Sequence, residues 1–121
     1  MPPKPRILVV DDDGPIVILM RSLLKEFGFE PVTAMSGREA IEAAREQTPD
    51  LVLLDRNMPG MSGDEVIRAL RDDLGLTKTP ILILSGEPIA GREILDLRAD
   101  GAVQKPFDVV SLVEKIRAHV L

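Results

Sequence analysis

Four short apolar stretches of this sequence run into side chains that can do chemistry. Arg6 to Val10 leads into Asp11-Asp12-Asp13. Leu51 to Leu54 is followed by Asp55, Ile81 to Leu84 by Ser85, and Ala102 to Gln104 by Lys105. Carboxylates held together repel one another and are hard to keep ionised without a cation. Hard oxygen ligands with open positions suit Mg²⁺, which keeps several of its waters. A lysine adds a second positive charge, and a serine adds a hydroxyl donor. A metal, an ammonium and a hydroxyl around one carboxylate make a setting that stabilises a phosphoryl group. Each piece alone is ordinary, since an acidic run after a strand is usually a solvated turn, and Asp13 by itself reads as a helix cap. The weight lies in four strand ends that carry compatible groups. Pro106 adds to it, because a cis Lys105-Pro106 bond would fix the direction of the lysine.

These residues need elements to position them, and the chain supplies strand and helix in alternation. Arg6 to Val10 is a short β-branched run, read as a buried strand. Asp13-Gly14-Pro15 offers a cap and a first-turn proline. Ile16, Leu19, Met20, Leu23, Leu24 and Phe27 then recur at helical spacing up to Gly28, with Ile18 on the opposite side and Val17 at the boundary. Glu30 to Ala34 is a second strand. Ser36-Gly37-Arg38-Glu39 and Ser62-Gly63-Asp64-Glu65 both have capping-box spacing. Ala40, Ile41 and Ala44 face inward behind the first box, and Val66, Ile67 and Leu70 behind the second. A weaker helix is predicted over roughly Ile89 to Arg98, and Asp108 caps the last one, with Phe107 and Leu112 as a hydrophobic staple.

Three of the strands are continuous apolar runs, the pattern of strands buried on both faces in a parallel sheet with helices on each side. Pro31 cannot donate to a ladder, which sends the second strand to an edge. The expected fold is α/β, a doubly wound five-stranded parallel sheet, and an order of 2-1-3-4-5 puts the second strand at that edge. That order makes the first and third strands neighbours at the switch point, where ligands bind beyond the strands' C-terminal ends.

The stretches ILVVDDD, LVLLDRNMPGMSG, ILILSG and VQKPF, in this order and at these spacings, closely resemble bacterial response-regulator receiver domains, the CheY-like (βα)5 class with a flavodoxin-like fold. The resemblance covers essentially the whole chain and implies one receiver domain over residues 1–121. It implies that Asp55 accepts a phosphoryl group from a histidine kinase or histidine phosphotransfer protein. By the same resemblance Asp12 is a direct Mg²⁺ ligand, Asp11 assists through water, and Asn57 offers its backbone carbonyl; Mn²⁺ can substitute. Ser85 and Lys105 each hold a phosphoryl oxygen, Gly86 leaves space, and Pro59, Gly60 and Gly63 shape the loop. Such a protein is a switch that assists its own phosphorylation and dephosphorylation rather than an enzyme, and it acts on a downstream protein that the sequence does not name. Asn57 and Glu87 stand at positions that resemble those tuning water attack on the acyl phosphate, and the first helix resembles a docking surface for the phosphohistidine donor.

The sequence departs from the family where an aromatic residue usually precedes the lysine by three positions. Here that residue is Ala102, so the aromatic arm of the switch is missing. Pro88 and Gly91 also weaken the fourth helix. An intact acceptor and lysine argue against a constitutive docking module, although Ala102 favours one. A haloacid-dehalogenase-type phosphohydrolase needs a second Asp two residues after the nucleophile, and Asn57 cannot transfer a proton. A flavin-binding relative needs a hydroxyl- and glycine-rich phosphate loop where this chain has three aspartates.

Composition narrows the partners. Net charge is −5, which disfavours direct nucleic-acid binding. The absence of cysteine excludes disulfides and thiolate metal sites. The longest apolar runs are too short to span a membrane, and the first residues lack a signal peptide's apolar segment, so a cytoplasmic location is expected. His119, the single histidine, reads as an exposed residue of the last helical turn rather than a phosphodonor.

Overall fold

Aliphatic runs of five residues become strands because their branched side chains pack on both sides of a pleated sheet. The computed structural model describes residues 3–120. Among them five parallel strands alternate with five α-helices: β1 Arg6–Val10, α1 Gly14–Glu26, β2 Glu30–Ala34, α2 Gly37–Glu46, β3 Leu51–Asp55, α3 Gly63–Arg68, β4 Ile81–Ser85, α4 Gly91–Asp96, β5 Gly101–Gln104 and α5 Val109–Val120. The sheet order is β2-β1-β3-β4-β5, with Pro31 on the edge strand as expected. Every residue of β3 and β4 is buried.

Side chains alternate across the sheet and build two cores. Ile7, Val9, Leu51, Leu53, Leu82 and Leu84 meet α1 and α5 on one face. Leu8, Val10, Val52, Leu54, Ile81 and Ile83 meet α2, α3 and the half-buried Ile94 and Leu97 on the other.

The caps act as the sequence implies. Asp13 Oδ1 accepts the Ile16 N–H, and Ser62 with Glu65 forms the complete capping box. Ser36 Oγ accepts the Glu39 N–H, but Glu39 reaches back to the Met35 N–H instead of closing its box. Gly28 adopts a φ of +92° at the end of α1, a region that glycine enters without a Cβ penalty. Asp108 caps α5, and Phe107 and Leu112 pack into the same core. His119 is exposed in the last turn, with Nδ1 2.9 Å from the Lys115 carbonyl.

Two expectations need correction. On α1 the fully buried residues are Val17, Met20 and Leu24, whereas Leu19 is 54% exposed. Leu19 sits about 100° around the helix from Met20, and the buried stripe turns the other way, toward Val17. The fourth helix is shorter than expected, Gly91–Asp96, and buries none of its residues.

A feature with no counterpart in the sequence reading follows α3: a π-helical turn over Ala69–Asp73. It buries Arg71, whose guanidinium donates to the carbonyls of Leu76, Thr79 and Arg98 and to Asp100 Oδ2. This one side chain ties the approach to β4 to the turn between α4 and β5.

Candidate functional site

The parallel register brings the chemical side chains together at the C-terminal edge of the sheet. Val10 pairs with Leu54, so Asp11 and Asp55, one position further, lie beside each other on the face toward α1 and α5. Gln104 pairs with Ser85, and Val103 belongs to the α1–α5 core, so Lys105 emerges on that same face. Lys105 Nζ lies 3.0 Å from Asp11 Oδ2 and 3.7 Å from Asp55 Oδ1. Asp11 also accepts the Asp13 N–H, and Asp55 accepts the Asn57 N–H. The bond between Lys105 and Pro106 is cis.

Asp11 and Asp55 are buried and Asp12 is exposed, and one carboxylate oxygen from each falls within a 4.8 Å cluster. This donor set fits a hard divalent cation that keeps waters on its open side. Burial pushes the Asp55 carboxyl above its ordinary range, and the Asp11 charge adds to that. Lys105 and the Asn57 N–H pull it down, and Asp12 raises it again. The uncompensated negative charge is itself an argument for a cation.

Ser85 is buried at the same rim, and its hydroxyl accepts the Glu87 N–H at 3.1 Å. Among the described residues the hydroxyl makes no hydrogen bond to Asp55 or Lys105, although the Ser85 carbonyl accepts the Lys105 N–H at 2.7 Å. A polar cavity of about 450 Å³ adjoins it, lined by Arg56, Asn57, Ser85, Glu87 and Glu93. Gly63 explains how α3 closes on the site. A Cβ there would stand 2.8 Å from the Arg56 Cα and 3.0 Å from the Asp55 carbonyl, so only glycine allows this approach.

Arg56 was not among the residues expected to matter. Strand alternation turns it away from Asp55 toward the other face, where it pairs with Asp64 of α3 and Glu93 of α4. Its place next to Asp55 was visible in the sequence, but its partner 37 residues away was not.

A doubly wound sheet with an acidic cluster and a lysine at its switch point defines an α/β domain whose ligand site lies at the strands' C-terminal ends, with a donor set that could hold a metal ion. The family model of the response regulator receiver domain matches residues 7–117. The chain belongs to that family, the receivers of two-component signal transduction, whose general function is phosphorylation on an aspartate with Mg²⁺. It is 40% identical over 119 residues to the DNA-binding response regulator MtrA of Mycobacterium tuberculosis, covering 97% of this chain and 51% of MtrA. It is 37% identical over 120 residues to the transcriptional regulatory protein PrrA of the same species, covering 95% and 49%. The chain thus spans about half the length of the curated relatives it matches. The crystal structure of Vibrio cholerae chemotaxis protein CheY4 superposes with a TM-score of 0.90 at 33% identity, covering 98% of this chain and 99% of that one. A CheY-like receiver from Methanospirillum hungatei gives 0.88 at 25% identity over 97% and 94%. No helix among the described residues is long and apolar enough to cross a membrane.

Proposed function

We propose that residues 1–121 form one receiver domain in which Asp55 is the phosphoacceptor. The observation that carries this is the placement of Asp55 beside the Asp11–Asp12 pair at the sheet's switch point, with Lys105 Nζ 3.7 Å from its carboxylate. The donor is a phosphohistidine of a histidine kinase or phosphotransfer protein. An Asp55 carboxylate oxygen attacks phosphorus in line, the P–N bond breaks, and the imidazole keeps the electron pair. Asp12, Asp55 and the Asn57 carbonyl would hold Mg²⁺ or Mn²⁺, with Asp11 assisting through water. That cation would neutralise charge on the transferring oxygens.

Lys105 reaches a second phosphoryl oxygen from its position beside Asp55, and Ser85 donates its hydroxyl proton to another. Because these groups belong to the receiver, the domain assists its own phosphorylation, and small phosphodonors suffice as substrates. Water attack on phosphorus then releases inorganic phosphate and restores Asp55. The change in charge at this rim switches binding of a downstream protein in the cytoplasm.

Acetyl phosphate or beryllofluoride should modify the protein only with Mg²⁺ or Mn²⁺ present, and only at Asp55. Intact-mass measurement on wild type and Asp55→Asn checks this. Equal labelling of both proteins would refute the assignment.

A further inference from the structure

The fourth helix is attached in an unusual way. It buries none of its own residues, and no side chain caps its N-terminus at Ala90. Its C-terminal end is anchored. Arg71 donates twice to the Arg98 carbonyl, and Arg98 pairs with Asp72 through two bonds of 2.7 and 3.0 Å. Its N-terminal end is held across to the body of the protein by Glu93, which pairs with Arg56.

Arg56 is a fixed post. Its carbonyl accepts the Gly63 N–H at 2.9 Å, its Cα packs against Gly63, and Asp64 holds its Nε at 3.3 Å. The opposite side of the pair is held more loosely, since beside Glu93 only the half-buried Ile89 and Ile94 pack on the core and no residue of α4 is fully buried. Residues 86–90 run directly from Ser85 into α4, and the Ser85 hydroxyl already grips this segment through the Glu87 N–H. That hydroxyl can accept from Glu87 and donate to a phosphoryl oxygen at the same time. A group on Asp55 that draws Ser85 inward therefore pulls the segment with it. Small Ala102 leaves a groove of about 420 Å³ beside Pro88, Ile89 and Ile94, so the segment has room to move.

We infer that the Arg56–Glu93 pair is a latch that holds the N-terminal end of α4 while Asp55 is unmodified, and that opens when Asp55 carries a phosphoryl group. The latch deepens the reading of Asp55 as acceptor and rests on it. The helix pivots about its anchored C-terminal end, and the face it presents to partners changes without an aromatic side chain moving.

By linkage, a contact present only in the unmodified state opposes modification, and removing it must favour the modified state. Beryllofluoride with Mg²⁺ serves as the probe, read by amide hydrogen exchange over residues 91–96 and by titration. In wild type, the adduct should speed exchange across α4. Arg56→Met, which leaves the α4 sequence intact, should raise exchange in the unmodified protein to a similar level. Glu93→Ala should do the same, and the double variant should add nothing further. Glu93→Ala should also bind beryllofluoride roughly two- to five-fold tighter, the range expected from losing a half-exposed ion pair. That gain should vanish when residue 56 is already Met, whereas a direct electrostatic effect of Glu93 on the site would persist in both backgrounds. Equal tightening in both backgrounds overturns the latch. So does an adduct at Asp55 in wild type that leaves α4 exchange unaltered, while the acceptor reading stands. Absence of a phosphoryl label at Asp55 by intact mass after acetyl phosphate with Mg²⁺ overturns the acceptor reading and the latch with it.

Discussion

Replacing Asp55 by Asn should stabilise the metal-free protein. The three carboxylate oxygens lie within 4.8 Å of one another, and Lys105 lies 3.7 Å from Asp55. At an effective dielectric constant of about 20, each like-charge pair at that separation repels by roughly 3.5 kcal/mol, and the lysine attracts by roughly 4.5 kcal/mol. Asp11 and Asp12 together outweigh Lys105, and the cost of burying the Asp55 charge adds to the imbalance. Solvent around exposed Asp12 screens part of its share. A net gain of about 1–3 kcal/mol for Asp55→Asn follows at neutral pH. For a domain of this size that raises Tm by roughly 4–12 °C. The chain has no Trp or Tyr, so far-ultraviolet circular dichroism in EDTA is the appropriate assay.

The sign with pH is set by the direction of the shift. The folded-state pKa of Asp55 is raised, so its ionisation works against the fold. The stability of wild type relative to the variant is greatest below the unfolded value of 3.8 and is lost as pH rises through the folded pKa. The gap in favour of Asn should therefore open with rising pH and level off above that point. Added Mg²⁺ should narrow it, since the cation stabilises the three-carboxylate site more than the two-carboxylate one. An Asn variant that melts at or below wild type in EDTA at neutral pH would refute the reasoning.

Three further outcomes are expected. Asn57 and Glu87 both line the polar cavity beside Ser85, so the Asn57→Met, Glu87→Leu pair should prolong the acyl phosphate by hindering water; a wild-type dephosphorylation rate would contradict this. Ile18 is 69% exposed on α1 next to the acidic cluster, so Ile18→Glu should slow transfer from a cognate phosphohistidine protein ten-fold or more, roughly 1.4 kcal/mol, while labelling by acetyl phosphate stays nearly constant. Equal loss with both donors would mean that the fold, not docking, was damaged. Arg71→Leu leaves the Leu76, Thr79 and Arg98 carbonyls without their donor and should cost about 3–4 kcal/mol in urea unfolding, and a change under 1 kcal/mol would show that water replaces the guanidinium.

The sequence by itself determined that the sheet is parallel and which residues end its strands. Continuous aliphatic runs are satisfied by burial on both faces, and Pro31 favours an edge, so the parallel sheet and the edge place of the second strand followed from local chemistry. The residues that end those runs then had to share one rim. Local caps at Asp13, Ser62 and Asp108 were legible for the same reason, since each bonds its own first turn.

What only the tertiary structure decided depended on contacts between distant segments. The apolar run Ile16–Met20 fits two phases of a helix, and packing against the sheet chose Val17 over Leu19. Arg71 looks like a surface residue until three turns close around its guanidinium and offer it the Leu76, Thr79 and Arg98 carbonyls. The brevity of α4 and its hold through Arg56 are likewise invisible locally. An ion pair across 37 residues has no sequence period, because it forms only where the fold brings two chain segments side by side.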